Sequence, residues 1–102
     1  MIIDFDVHHG NGTQHSFYSE NRVLYFSIHQ YPHYPGTGDL LETGNGIGRG
    51  FTLNIPIGPR YGDYAYHTLF RKVLMPVALE YRPQLVLVSA GFDAHYADPL
   101  GG

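Results

Sequence analysis

The stretch "MIIDFDVHHGNGT", Met1 to Thr13, passes within a few residues from apolar chain to metal-ligand chemistry. Its opening, Met1 to Asp6, reads as a short buried strand that ends in polar residues. Asp4 to His9 holds two carboxylates and two imidazoles, and Gly10 and Gly12 follow at once. Alternate side chains of an extended strand point the same way. Asp4, Asp6 and His8 therefore aim three ligand groups to one side if the strand continues to His8. Aspartates and histidines at strand ends are also ordinary turn formers, and Asn11-Gly12 is by itself a turn signal.

A second run of the same character sits near the other end of the chain. "QLVLVSA" (Gln84–Ala90) is continuously apolar, as in a parallel strand buried on both faces. The loop after it, within "SAGFDAHYADP" (Ser89–Pro99), supplies Asp93, His95 and Asp98. Sites in open α/β sheets form beyond the carboxyl ends of the strands. If the first and last strands are neighbours, Asp6, His8 and Asp93 converge there. Two carboxylates and one imidazole neutralise a dication such as zinc and leave a coordination position open for water or substrate.

Between these runs, "VLYFSIH" (Val23–His29) and "FTLNI" (Phe51–Ile55) read as strands, the second stopped by Pro56. Thr13 to Tyr18 suits a helical turn capped by Thr13. Gln30 to Gly50, rich in Gly, Pro and Tyr, reads as a long loop, and long ordered loops in small domains are usually functional. Gly62 to Tyr81 is the one long helix, with Asp63 as N-cap and a broad apolar stripe. Pro76 is expected to kink or split it. The result is an α/β chain of about four mostly parallel strands with one long helix. A parallel sheet needs cover on both faces, so one face and both edges are expected to stay bare. The chain is then a piece of a larger domain or completes its core by self-association.

Composition narrows the function. The 102 residues carry a net charge of −3 with seven histidines counted neutral, and no cysteine. Disulfides and thiolate ligands are excluded, so any metal is held by oxygen and nitrogen. There is no basic run to bind nucleic acid, no apolar stretch of ~18 residues to span a membrane, and no basic-then-apolar leader visible in these residues, so no secretory signal is expected. A cytoplasmic location is expected, or a nuclear one in a eukaryote.

"DFDVHHGNGT", "PGTGD" (Pro35–Asp39), "NIPI" (Asn54–Ile57) and "SAGFDAHYADPLGG" occur in this order. Together they resemble the zinc-dependent histone deacetylase family, in its branch of class II enzymes, acetylpolyamine amidohydrolases and acetoin-utilisation proteins. The resemblance covers essentially the whole chain. It implies the arginase-deacetylase fold, whose full domain is several times longer, and amide hydrolysis of acetyl-lysine or an acetylated polyamine. It implies zinc on Asp6, His8 and Asp93, with Asp4 orienting a catalytic histidine. It implies potassium on Asp4, Ser27 and the carbonyls of Asp6, His8 and Ile28. A second monovalent ion is implied on the carbonyls of Phe17, Glu20, Val23 and Phe51. Tyr34 matches the wall of the acyl-lysine tunnel and Leu100 its rim. Asn11 stands where other branches carry an aspartate paired to the second catalytic histidine.

The family's tandem catalytic histidines lie upstream of the first motif and its catalytic tyrosine downstream of the last. Both therefore fall outside residues 1–102. His8-His9 is not that pair: His8 is the expected ligand, and His9 should point away from the metal as a packed or hydrogen-bonded histidine. His29 is expected to pack under the site, His33 to line the tunnel side, and His95 to stand behind the ligands. On this reading the chain is a partial catalytic domain, inactive alone. The alternatives are a non-enzymatic module that binds metal or a second copy, and a binuclear manganese hydrolase of the arginase type, for which "DAHYAD" (Asp93–Asp98) is a faint cue.

Overall fold

Four short runs become the strands of one wholly parallel sheet in the computed structural model, which describes residues 1–102. They are β1 (Ile2–Asp4), β2 (Tyr25–Gln30), β3 (Thr52–Ile57) and β4 (Leu87–Ser89). The spatial order is β3-β2-β1-β4. In register, Asp4 lies beside Ser27 of β2 on one side and Ser89 of β4 on the other. The chain's two ends thus meet at the middle of the sheet. Helix α1 is Asn11–Phe17, and α2 (Asp63–Leu69) and α3 (Met75–Tyr81) flank a π-helical turn, Phe70–Leu74. No helix is long and apolar enough to cross a membrane.

Alternation along the strands gives the sheet two different faces. Leu24, Phe26 and Ile28 of the β2 run point to one side with Met1 and Ile3, and with Leu53, Ile55 and Ile57 of β3. Leu74 and the apolar stripe of α2–α3, including Phe70, Val73 and Val77, cover them. Tyr25, Ser27 and His29 point to the other side with Asp4, Thr52 and Asn54. All six are 2% exposed or less. The second face is therefore not bare over β1 to β3, contrary to expectation. It is closed by polar contacts, with α1 and the 31–50 loop in place of a long helix. Gln14 of α1 and the Glu42 carbonyl both accept from Asn54 Nδ2, at 2.7 and 3.0 Å. The bare face is found only over β4, whose residues are all exposed, while both edges, β3 and β4, stay unpaired as expected.

Local corrections have local causes. β3 continues through Pro56, because an edge strand tolerates a ring without N–H. The helical run is interrupted just before Pro76, where the π-helical turn separates α2 from α3. Met75 N–H donates to Phe70 O, a bond spanning five residues, and Pro76 falls in the first turn of α3, where its missing donor matters least. Gly10 and Gly62 occupy the N-cap positions of α1 and α2, and neither Thr13 nor Asp63 makes a capping bond. Arg82 closes α3 in the left-handed conformation, just before Pro83 disfavours further helix.

Leu74 is the helical residue most deeply set in the apolar layer. Leu74→Ala should lower unfolding stability by about 3 kcal/mol, whereas Leu79→Ala, at an exposed position, should change it by less than about 0.5 kcal/mol; denaturant titration of the two variants checks both. On the polar face, burial pushes the His29 imidazole from its ordinary 6.5 down to about 4. Between those values the unfolded chain takes up a proton that the folded chain refuses. Stability should therefore fall as pH drops from about 6.5 to about 4, by up to about 3 kcal/mol. Urea titrations across that range should show a steeper fall for the native chain than for His29→Gln.

Candidate metal centre

The pairing of β1 with β4 places two loops, residues 5–10 and 90–98, side by side at the carboxyl end of the sheet. Phe5 N–H donates to Ser89 O at 3.3 Å and carries the pairing one residue further. The ligand atoms of Asp6, His8 and Asp93 then lie within 4.8 Å of one another. His8 Nδ1 is 3.0 Å from Asp6 Oδ1 and 2.8 Å from Asp93 Oδ2. Main-chain donors aim both carboxylates: His8 N–H donates to Asp6 Oδ1 at 2.8 Å, and Val7 N–H to Asp93 Oδ1 at 2.9 Å. Gly91 makes room, since a Cβ there would come within 2.1 Å of Asp6 Oδ2. A Cβ at Gly101 would likewise collide with the Asp93 carbonyl. Burial is the largest influence on Asp93 and pushes its carboxyl up, but the Val7 N–H and the neighbouring His8 outweigh it and hold the group below the usual range.

The donor set fits a divalent ion. It offers two carboxylates and one imidazole, all partly exposed. For ligands ~2.0–2.1 Å from a tetrahedral zinc, donor atoms stand roughly 3.3 Å apart, within a few tenths of an ångström of the separations to His8 Nδ1.

Asp4 does not join the cluster. β1 ends at Asp4, so the strict alternation that would align Asp4 with Asp6 and His8 stops there. Its carboxylate turns into the polar face, where Oδ2 accepts from the Tyr25 hydroxyl at 2.9 Å and Oδ1 from Asp6 N–H at 3.2 Å. Burial raises its pKa, and burial likewise raises that of Tyr25. Gly10 sits against this pair, and a Cβ there would lie 2.4 Å from the Tyr25 hydroxyl.

The remaining predicted positions divide into near and far. His33 stacks on His8, ring centres 5.2 Å apart, and Tyr34 stands edge-on to His8 at 6.1 Å. Tyr34 and Leu100 are 77% and 81% exposed. Ser27 and Ile28 are fully buried beside β1, and Ser27 Oγ is engaged with His29 Nδ1 at 2.9 Å. Phe17, Glu20, Val23 and Phe51 lie toward the amino ends of β2 and β3, the far end of the sheet from the triad. There Phe17 O accepts from Glu20 N–H and Phe51 O from Tyr25 N–H. Asn11 is exposed at the start of α1, and its side chain makes no hydrogen bond. His95 and Asp98 stay outside the cluster and brace their own loop: His95 Nδ1 accepts from Ala97 N–H, and Asp98 Oδ1 from the N–H groups of Leu100 and Gly101.

Sequence reasoning missed a polar network behind His8. His9 is buried between Thr37 Oγ1, 2.8 Å from Nδ1, and Gln14 Oε1, 2.9 Å from Nε2. Gln14 Nε2 donates to Glu42 Oε2 at 2.6 Å. Gly38 N–H donates to the same oxygen at 3.1 Å, and Gly38 O accepts from His29 Nε2 at 2.8 Å. Burial pushes Glu42 up, but these hydrogen bonds prevail and hold it below the usual carboxylate range. The one trace in sequence is the turn-forming "PGTGD", whose Gly38 has φ +93°.

Known proteins resemble this chain in both sequence and fold. The histone deacetylase domain family matches residues 1–102. The chain is 51% identical to histone deacetylase 10, chloroplastic, of Oryza sativa subsp. japonica, over all of this chain and 23% of that protein. It is 48% identical to a probable deacetylase of Archaeoglobus fulgidus, over 97% of this chain and 28% of that protein. It is 47% identical to human histone deacetylase 9, over all of this chain and 11% of that protein. Among solved structures, the HDA15 HD domain superposes with a TM-score of 0.96 at 45% identity, over 98% of this chain and 30% of that one. The histone deacetylase Clr3 superposes with a TM-score of 0.95 at 49% identity, over 98% of this chain and 18% of that one. The chain thus spans less than a third of the proteins it matches. A parallel sheet with an Asp-His-Asp cluster at its carboxyl end, matched in sequence and fold over its whole length, belongs to the histone deacetylase family, with the arginase-deacetylase fold.

Proposed function

We propose that this chain is the metal-holding part of a zinc-dependent deacetylase that hydrolyses the acyl-amide of acetyl-lysine or an acetylated polyamine. The observation that carries the reading is the convergence of Asp6, His8 and Asp93 from two loops 85 or more residues apart in sequence. Zinc held by Asp6, His8 and Asp93 would supply Lewis acidity, polarising an acetyl carbonyl and lowering the pKa of a water molecule so that hydroxide is available as nucleophile. The chain's own residues prepare that site. Asp6 and Asp93 bring two negative charges, and the His8 and Val7 N–H groups fix where their oxygens point. His8 is steadied by the flat face of His33. Tyr34 and Leu100 are assigned to the wall and rim of the acyl channel. Asp4, held by Tyr25, is assigned to orient a catalytic histidine.

Potassium is assigned to Asp4, Ser27 and the carbonyls of Asp6, His8 and Ile28. The register of Asp4 beside Ser27 supports this. The second monovalent site, on Phe17, Glu20, Val23 and Phe51, rests on the family resemblance alone. The general acid–base histidines and the tyrosine that donates to the oxyanion are expected from other parts of the catalytic domain. Residues 1–102 by themselves should therefore hold metal without turnover, and the exposed β4 edge should pair with the rest of that domain or with a second copy. The location in cytoplasm or nucleus stays part of this proposal, and histone deacetylase 10 and one further relative carry chloroplastic names.

Metal analysis tests the cup. The purified chain should carry about one zinc, and Asp93→Ala should lose it, since removing one of three protein ligands leaves too few to hold the ion. Unchanged zinc content in Asp93→Ala and Asp6→Ala would overturn the ligand assignment. Turnover of an acetyl-lysine peptide by residues 1–102 alone would overturn the assignment of the acid–base groups to other parts of the domain.

A further inference from the structure

We propose that Glu42, Gln14, His9 and Thr37 form a positioning relay that sets the channel-wall residue Tyr34 against the metal cup. The inference rests on the site reading above and adds to it residues that touch neither metal nor substrate.

The relay has one sense of direction. The Glu42 carboxylate has no proton to give, so Gln14 must turn its Nε2 toward it, at 2.6 Å. Gln14 Oε1 then faces His9 and Asn54, and Asn54 Nδ2 donates to that oxygen. His9 Nε2, 2.9 Å from the same oxygen, must therefore carry the proton. Its Nδ1 is left bare and accepts from the Thr37 hydroxyl at 2.8 Å. One carboxylate thereby selects an amide orientation, a tautomer and a hydroxyl rotor in turn. The ring closes at the next residue, because Gly38 N–H donates back to Glu42 Oε2. Only glycine fits at this point of the loop, since a Cβ there would stand 2.4 Å from His29 Nε2 and 2.6 Å from His9 Cγ.

Both ends of the relay bear on the site. His9 directly follows the ligand His8, and Thr37 lies three residues after Tyr34. Between Tyr34 and Thr37 the loop makes one backbone bond, Gly36 N–H to His33 O at 2.7 Å. Thr37 is itself exposed. Deleting its hydroxyl should release the loop without much cost to the core.

The test uses the protein as the cell makes it, loaded with zinc and assayed on an acetyl-lysine peptide. Thr37→Val, which keeps the shape and loses the hydroxyl, should raise KM about tenfold, the equivalent of one hydrogen bond. Its kcat should stay within about twofold and its zinc content should not change; Thr37→Ser should restore KM. Independently of activity, nitrogen-15 spectra should show His9 protonated at Nε2 in the native protein and as a mixture of tautomers in Glu42→Gln. An unchanged KM in Thr37→Val, or a native His9 protonated at Nδ1, overturns the relay. A zinc-loaded native protein that turns over neither the acetyl-lysine peptide nor an acetylated polyamine overturns the proposed reaction instead, and the His9 spectra then judge the relay alone.

Discussion

The parallel pairing of Ile2–Asp4 with Leu87–Ser89 is the constraint on which the site depends. Each strand is only three residues long, yet their carboxyl ends launch the two loops that carry all three members of the cluster. The sheet supplies position and the loops supply chemistry, the usual division of labour in open α/β sheets. Aim comes from main-chain N–H groups inside the loops themselves. The carboxylates are thus held by backbone donors that most side-chain changes leave in place.

The sheet has to serve two unlike environments. One face buries Phe26, Ile28 and Leu53 under helix in the ordinary way. The other buries Asp4, Tyr25, Ser27, His29 and Asn54, where a missing hydrogen bond is costly. That face is closed by elements with polar groups to offer: a two-turn helix and a glycine-rich loop. The same requirement explains why the loop is ordered despite having little regular structure. Its anchors are Gly38 and Glu42, and both are bonded to groups on or against the sheet.

The apolar strands, their parallel arrangement and the meeting of Asp6, His8 and Asp93 were legible in the sequence. Each depends on short-range pattern or on one assumption about strand neighbours. Asp4 was read differently because its direction depends on where β1 stops, and alternation cannot tell that boundary. The His9 network was illegible for another reason. Gln14, Thr37, Glu42 and Asn54 are scattered over forty residues, and polar residues in loops carry no periodicity. Pro56 misled because its tolerance depends on β3 being an edge, a property of the sheet rather than of the strand. The exposed β4 reverses the expectation drawn from its apolar run: the run has the composition of a strand covered on both sides, while these 102 residues cover neither.

The π-helical turn at Phe70–Leu74 has a consequence for how this segment tolerates changes in length. Such a turn holds one residue more than the α-helix would in the same place. Tyr66, Phe70 and Val73 before or within it, and Val77, Ala78 and Tyr81 after it, all pack on the same apolar layer. Removing a single residue there would leave a regular helix whose second half keeps nearly the same face, because the wide turn absorbs that residue locally. Val77, Ala78 and Tyr81 would stay on the sheet, whereas losing one residue from the regular turns on either side would swing one half round by roughly 100°.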